Sequence, residues 1–243
     1  MIKVGLFGKN SDTIRHLIPE HGLQLVEDHP DVIISYGGDG TLLSCERKYP
    51  SIPKLPIRDS KVCKKCPAHT TEHLLQELAE EKIKLVDYPK LEVKFGGEHI
   101  LALNDLVIRN SIPIHALRFR VYINGKLLRP EVLIGDGVVF TTVFGSTGYY
   151  QSITRKTIEK GFAMAFNNTT FPVESDKFDK GDEIKVEIIR GPGTLSSDNN
   201  PKLHSVKETD TVTITASSHD ARIYVEKTLR CNECIILRDK RLR

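Results

Sequence analysis

The sequence predicts two architectures in one chain: an α/β unit over residues 1–88 and an all-β, sandwich-like region over residues 89–218. Three observations carry that prediction. Up to Tyr88, apolar runs rich in β-branched residues alternate with stretches of helical spacing, the pattern of βα units. Beyond Tyr88 the helical period gives way to repeated strand-length runs separated by turn residues. Inside that second region Asn124-Gly125 separates two such runs, and Asn-Gly supplies the positive φ angles that a two-residue hairpin turn requires.

Each element has its own signal. Ile2 to Phe7 reads as a first strand, Asp12 to Ile18 as a short helix with Ser11 or Asp12 as its cap, and Val32 to Ser35 as a buried strand. Helical spacing returns over Thr41 to Arg47 and in the segment from His73 to Ala79, where Thr70 or Thr71 can cap. The proline-containing stretch Tyr49 to Pro56 reads as a loop. Strands are expected at Leu91 to Phe95, Leu106 to Arg109, Ala116 to Ile123, Val138 to Thr142, Ile184 to Ile189 and Thr211 to Thr215. One helix interrupts them, beginning near Ser146 or Thr147, whose hydroxyls suit a cap.

Composition bounds the function. With 243 residues, 39% hydrophobic and 28% charged, the chain suits a globular protein of one large or two modest domains. A net charge of +3 could favour an anionic substrate but is far too small to indicate nucleic acid as a partner. The basic tail Arg238 to Arg243 reads as a solvated terminus. No apolar run is long enough to span a bilayer, and Met1 to Gly8 has the form of a strand, not of a signal peptide; a cytoplasmic protein without membrane contact is expected.

The most informative stretch is Gly37-Gly38-Asp39-Gly40-Thr41, directly after the strand run Asp31 to Tyr36. Glycines let the backbone approach a polyphosphate, and the start of the following helix favours negative charge. A carboxylate in that place repels phosphate unless it holds a metal or takes a proton from an attacking hydroxyl. An ordinary glycine turn carrying an aspartate has the same local pattern. Two further stretches follow in order: Asn104-Asp105 leading into Leu106 to Ile108, and Gly135-Asp136-Gly137 running through Val138 to Thr142 into Gly145-Ser146-Thr147-Gly148-Tyr149-Tyr150-Gln151-Ser152.

That ordered set resembles the NAD kinase family over roughly Val32 to Ser152, with a weaker echo at Ser196-Ser197-Asp198. The resemblance implies an NAD kinase-like fold in which residues 219–243 return to the first domain, and ATP-dependent phosphorylation of NAD at the adenosine ribose 2′-hydroxyl. It implies Asp39 as catalytic base, with Gly37, Gly38, Gly40 and Thr41 holding the donor, ATP or polyphosphate, together with Mg²⁺ or another divalent cation. It also implies that Asn104 and Asp105 bind the adenosine portion of the nucleotide. Asp136 matches the residue near the nicotinamide end, Thr147, Tyr149 and Ser152 match adenine- and ribose-contacting positions, and a homo-oligomer (dimer or tetramer) is implied. The chain departs from the family at Asp105 in place of Glu, at Gly148 in place of Ala, and at Ile57-Arg58-Asp59-Ser60, where a glycine-rich turn is expected. Two other functions are compatible with the glycine turn: a lipid or sphingoid kinase, although no amphipathic membrane-binding stretch is evident, and a catalytically silent NAD or NADP sensor.

Four cysteines form the pairs Cys63-Lys64-Lys65-Cys66 and Cys231-Asn232-Glu233-Cys234, the ligand number and spacing of a four-thiolate zinc site. Such a site would be structural, because four thiolates leave no open coordination position. Free thiols and a disulfide are the competing readings.

Overall fold

The computed structural model describes residues 1–59 and 70–226, which form two compact units: Met1–Asp87 joined by the chain from Ala221 onward, and Tyr88–Asp220.

The first unit is α/β. Its sheet runs in the order Gln24–Leu25, Lys3–Phe7, Val32–Tyr36, Lys54–Ile57, Ala221–Val225, Lys84–Tyr88. Lys3–Phe7 pairs in parallel with both Gln24–Leu25 and Val32–Tyr36, and Val32–Tyr36 pairs in parallel with Lys54–Ile57. The chain therefore leaves Lys3–Phe7 towards one side of the sheet and afterwards fills the other. That reversal opens a crevice at the carboxyl ends of Lys3–Phe7 and Val32–Tyr36, where open parallel sheets bind ligands. Val4, Val32, Ile34, Leu55 and Ile57 form the sheet side of the core, and Leu74, Leu75 and Leu78 of the helix Thr71–Ala79 pack on it. Thr70 caps that helix, its hydroxyl accepting from the His73 N–H at 3.2 Å. Lys54–Ile57, read as loop from its prolines, is a strand: Pro56 occupies a position where its missing N–H leaves the parallel register with Ser35 intact. The expected helix from Asp12 to Ile18 is split into a 3₁₀ turn, Ser11–Ile14, and a short helix, Leu17–Glu20.

The second unit is a two-sheet β-sandwich. One sheet runs Lys126–Leu127, Leu117–Ile123, Ile184–Arg190, Thr211–Ala216, Leu91–Phe95, Glu98–Ala102, with Leu133–Gly135 also paired to Leu117–Ile123. The other runs Asp176–Phe178, Phe162–Asn167, Gly137–Thr142, Asp105–Asn110, Gly193–Ser197, His204–Val206. Phe119, Val121, Val186 and Ile214 of the first sheet meet Leu106, Ile108, Val138, Phe140 and Met164 of the second in one buried core. Every residue of Gly137–Thr142 is buried, because the helix Tyr149–Thr154 covers that sheet's outer face: Tyr150 packs with Ala163 and Ala165. A strand buried on both faces loses its alternation, which is why Phe162–Asn167 carries no period-2 pattern. The Asn124-Gly125 hairpin is as expected, with φ angles of 51° and 76° and Ile123 opposite Lys126.

Candidate active site

In the first unit, three loops leave adjacent parallel strands at the same end of the sheet. Gly8 to Asn10 follows Lys3–Phe7, Gly37-Gly38 follows Val32–Tyr36, and Arg58-Asp59 follows Lys54–Ile57. Two of these glycines are crowded, whereas a Cβ on Gly38 would meet nothing within 4 Å. A Cβ on Gly8 (φ 139°) would lie 2.1 Å from the Tyr36 carbonyl oxygen, and one on Gly37 would lie 2.2 Å from Thr41 Oγ1. The helix after the turn spans Asp39–Lys48, two residues earlier than the spacing predicts, with Gly38 at its N-cap in extended conformation. Asp39 is thus the first helical residue, where a carboxylate is favoured by the helix dipole, and Arg47 and Lys48 complement the other end.

A cleft of about 630 Å³ opens between the first two loops, lined among others by Gly8, Lys9, Gly40, Thr41, Ser44 and Lys48. It offers backbone at Gly8 and Gly40, the hydroxyls of Thr41 and Ser44 and two lysines, a donor-rich lining suited to phosphate. Asp39 stands beside it with a half-exposed side chain and accepts from Arg58 Nη2 at 3.1 Å. Below the site, Lys54 and Glu46 form a fully buried ion pair between the central sheet and this helix. Burial also pushes the neighbouring Cys45 thiol up to about 12, so that it behaves as a small apolar side chain.

In the second unit the strand Asp105–Asn110 has candidates at both ends, Asn104 and Asp105 at its start and Asp136 beside Asn110 at its finish. Asp198, in left-handed conformation at φ 47°, accepts from the backbone N–H groups of Leu103 (3.0 Å), Asn104 (2.7 Å) and Asp105 (3.2 Å). Its own N–H donates to the Asp105 carbonyl at 2.9 Å. The Asn104 carbonyl accepts from the Thr142 N–H at 3.0 Å, and Thr142 Oγ1 accepts from Gly145 N–H at 3.0 Å. Gly145 lies so close that a Cβ there would stand 2.1 Å from Asn104 O. These contacts join the Asn104-Asp105 pair, the Gly145 turn and Asp198 into one backbone-locked cluster. Burial, and then the Asp198 charge, push the Asp105 carboxyl up to about 7.

The helix-proximal candidates divide. Tyr149 is half-buried, and its hydroxyl accepts from Asn167 Nδ2 at 3.0 Å. Thr147 and Ser152 are exposed, and Ser152 Oγ is turned back on the Tyr149 carbonyl at 2.7 Å. Neither hydroxyl of the Ser146-Thr147 pair caps the helix; Ser146 donates to the Val143 carbonyl, and Gly148 occupies the N-cap position without a side-chain bond. Asp136 sits between two strands, and its carboxylate accepts from Asn110 Nδ2 at 3.3 Å and Asn168 Nδ2 at 3.2 Å. Nothing in the sequence marks Arg58, Asp59, Asn10, Asn110 or Asn168 as site residues, because their partners lie far along the chain; of the family echo, Asp198 has the clearest structural role.

Cys63, Cys66, Cys231 and Cys234 lie outside the described residues. Among the described residues no group of three or more His, Cys, Asp and Glu side chains could hold a metal ion, and no helix is long and apolar enough to cross a membrane.

No protein-family model matches the chain. An NAD kinase of Sulfurisphaera tokodaii is 28% identical over 251 residues, covering 91% of this chain and 94% of that protein. NAD kinase 2 of Bacillus licheniformis is 33% identical over 154 residues, 58% of this chain and 55% of its own length. Over most of its length the chain is similar to NAD kinases. The fold agrees. A crystal structure of an NAD kinase from Archaeoglobus fulgidus in complex with ATP superposes with a TM-score of 0.77 at 19% identity, covering 99% of this chain and 98% of the other. Yeast NADH kinase complexed with NADH gives 0.79 at 16% identity, covering all of this chain and 87% of the other. Against these NAD kinase relatives the chain spans between about half and nearly all of the partner's length.

Proposed function

We propose that this protein transfers the terminal phosphoryl group of ATP to the 2′-hydroxyl of the adenosine ribose of NAD, giving NADP. The observation that carries the reading is the placement of Asp39: a carboxylate at the first residue of a helix, directly after a glycine turn in which a Cβ on Gly37 would collide with the Thr41 side chain, beside a cleft lined with hydrogen-bond donors suited to phosphate. Phosphoryl transfer asks little covalent chemistry of a protein, so positioning and charge complementarity account for most of the acceleration. Asp39 takes the hydroxyl proton. The turn backbone at Gly37, Gly38 and Gly40, with the Thr41 hydroxyl and the lysines of the cleft, binds the donor phosphates. Asn104, Asp105, Tyr149 and Asp136 recognise the NAD acceptor, with Thr147 and Ser152 at its solvent side.

Mg²⁺ bound with the donor would supply charge neutralisation for the phosphates, and the Asp39 carboxylate beside the cleft would help to hold it. The reading extends to a cytoplasmic homo-oligomer, and to a structural zinc held by Cys63, Cys66, Cys231 and Cys234, which elemental analysis of the purified protein tests directly.

The test of the activity is NADP formation from NAD, ATP and Mg²⁺, comparing wild type with Asp39→Asn. The variant should lose activity by a factor of about 100 to 10,000. A folded wild type that forms no NADP, or an Asp39→Asn enzyme of undiminished rate, overturns the proposal. Tight NAD or NADP binding without turnover would mark a sensor, and faster consumption of a sphingoid base or diacylglycerol than of NAD would mark a lipid kinase.

A further inference from the structure

Ile57-Arg58-Asp59, where the chain departs from the family pattern, makes four hydrogen bonds at once. The Ile57 carbonyl accepts from the Gly37 N–H at 2.8 Å, within the glycine turn itself. Arg58 Nη2 donates to Asp39 Oδ1 at 3.1 Å. Asp59 accepts from Asn10 Nδ2 at 2.8 Å, on the loop after the first strand, and from the Tyr36 hydroxyl at 3.5 Å. One short segment therefore touches the backbone of the turn, the side chain of the base and the opposite wall of the cleft.

The placement of Arg58 is set by the fold. It follows the strand Lys54–Ile57, whose first residue is locked to Glu46 on the Asp39 helix by the buried ion pair. Strand and helix are thus held at both ends, at Lys54–Glu46 and at Arg58–Asp39. The outer pair is open to solvent, with side-chain exposures of 28% for Arg58 and 53% for Asp39, and pairs so exposed add little to stability. What a guanidinium adds in that place is direction, because its planar fork fixes the orientation of a carboxylate better than an ammonium does.

We propose that Arg58 is a positioning residue for phosphoryl transfer, aiming the Asp39 carboxylate at the acceptor hydroxyl. The role rests on Asp39 being the base of the reaction proposed above. The test is steady-state NADP formation by wild type, Arg58→Gln and Arg58→Lys, with thermal midpoints measured alongside. Arg58→Gln should lower kcat by about 10- to 100-fold, the scale of a misplaced reacting group, while the KM values for NAD and ATP move by less than about twofold. Arg58→Lys should recover part of kcat, and all three proteins should melt together.

An Arg58→Gln enzyme with wild-type kcat overturns the role. So does a raised KM for ATP with kcat intact, which would make Arg58 a phosphate ligand. A loss of kcat that follows a lowered melting point and is not relieved by lysine also overturns it, by assigning Arg58 to the scaffold. A wild type that forms no NADP overturns the activity and this role together, whereas an active wild type beside a fully active Arg58→Gln overturns the role alone.

Discussion

The two units each present an aspartate at the end of a strand, and they treat it in opposite ways. Asp39 begins a helix, is half-exposed and is met by an arginine. Asp105 begins a strand, is largely withdrawn from water and faces a second carboxylate, Asp198, across a web of backbone hydrogen bonds. The same side chain is therefore open to solvent in one unit and held against its own ionisation in the other. A carboxyl raised towards neutrality can donate as well as accept a hydrogen bond. Environment, not residue type, makes that difference.

The comparison breaks most visibly at Asp39. Asp39→Asn should abolish all but about 1% or less of NADP formation while leaving the melting point close to wild type, because the side chain is exposed. A variant that loses activity only in proportion to lost fold would erase the distinction between the two acids.

Next in size is Gly145→Ala. Its Cβ would fall 2.1 Å from Asn104 O and 2.5 Å from Asn104 Cα, a collision with backbone that no rotamer relieves. The substitution should destabilise the second unit by about 1–3 kcal/mol and raise the KM for NAD well above any change in the KM for ATP. Calorimetry together with the two KM values checks both statements.

Asp105→Asn sharpens the comparison through pH. The carboxyl rises from an ordinary 3.8 to about 7 in the folded protein. Between those values the folded state holds a proton that the unfolded chain has released, so stability from this group is full below about pH 4 and is lost as pH rises through 7. Asparagine keeps the neutral form at every pH. The variant should therefore melt several degrees above wild type at pH 8, with the difference closing towards pH 4; equal melting points at pH 8 would show that the fold does not disfavour ionisation of Asp105.

Gly148→Ala is the smallest expected effect. A Cβ there would lie 3.2 Å from Gly145 O and 4.0 Å from Asp105 Oδ2, a fit needing a shift of a few tenths of an ångström. Melting point and kcat should remain within about twofold-equivalent limits of wild type, in contrast to Gly145→Ala three residues earlier.

The legible parts of the molecule are those written in local pattern. Val32–Tyr36 is rich in β-branched residues, Thr70 offers a cap, Asn124-Gly125 suits a tight hairpin, and Gly37 to Thr41 marks a glycine turn at a helix start; each depends on neighbours within a few residues. The illegible parts depend on partners far along the chain. Lys54–Ile57 is a strand because it lies between Val32–Tyr36 and Ala221–Val225, which outweighs its prolines. Phe162–Asn167 is a strand because both its faces are covered, which removes the alternation that would have announced it.

The site divides along the same line. Residue identity and spacing by themselves determined that a carboxylate would sit in a glycine turn at a helix start, and that an Asn-Asp pair and an Asp-Gly strand would follow in order. Only the tertiary structure decided what each carboxylate experiences. Arg58 reaches Asp39 across 19 residues, and Asp198 reaches Leu103, Asn104 and Asp105 across more than 90. Charge and burial act through space, so the same aspartate reads identically in the sequence whether an arginine or another aspartate waits beside it.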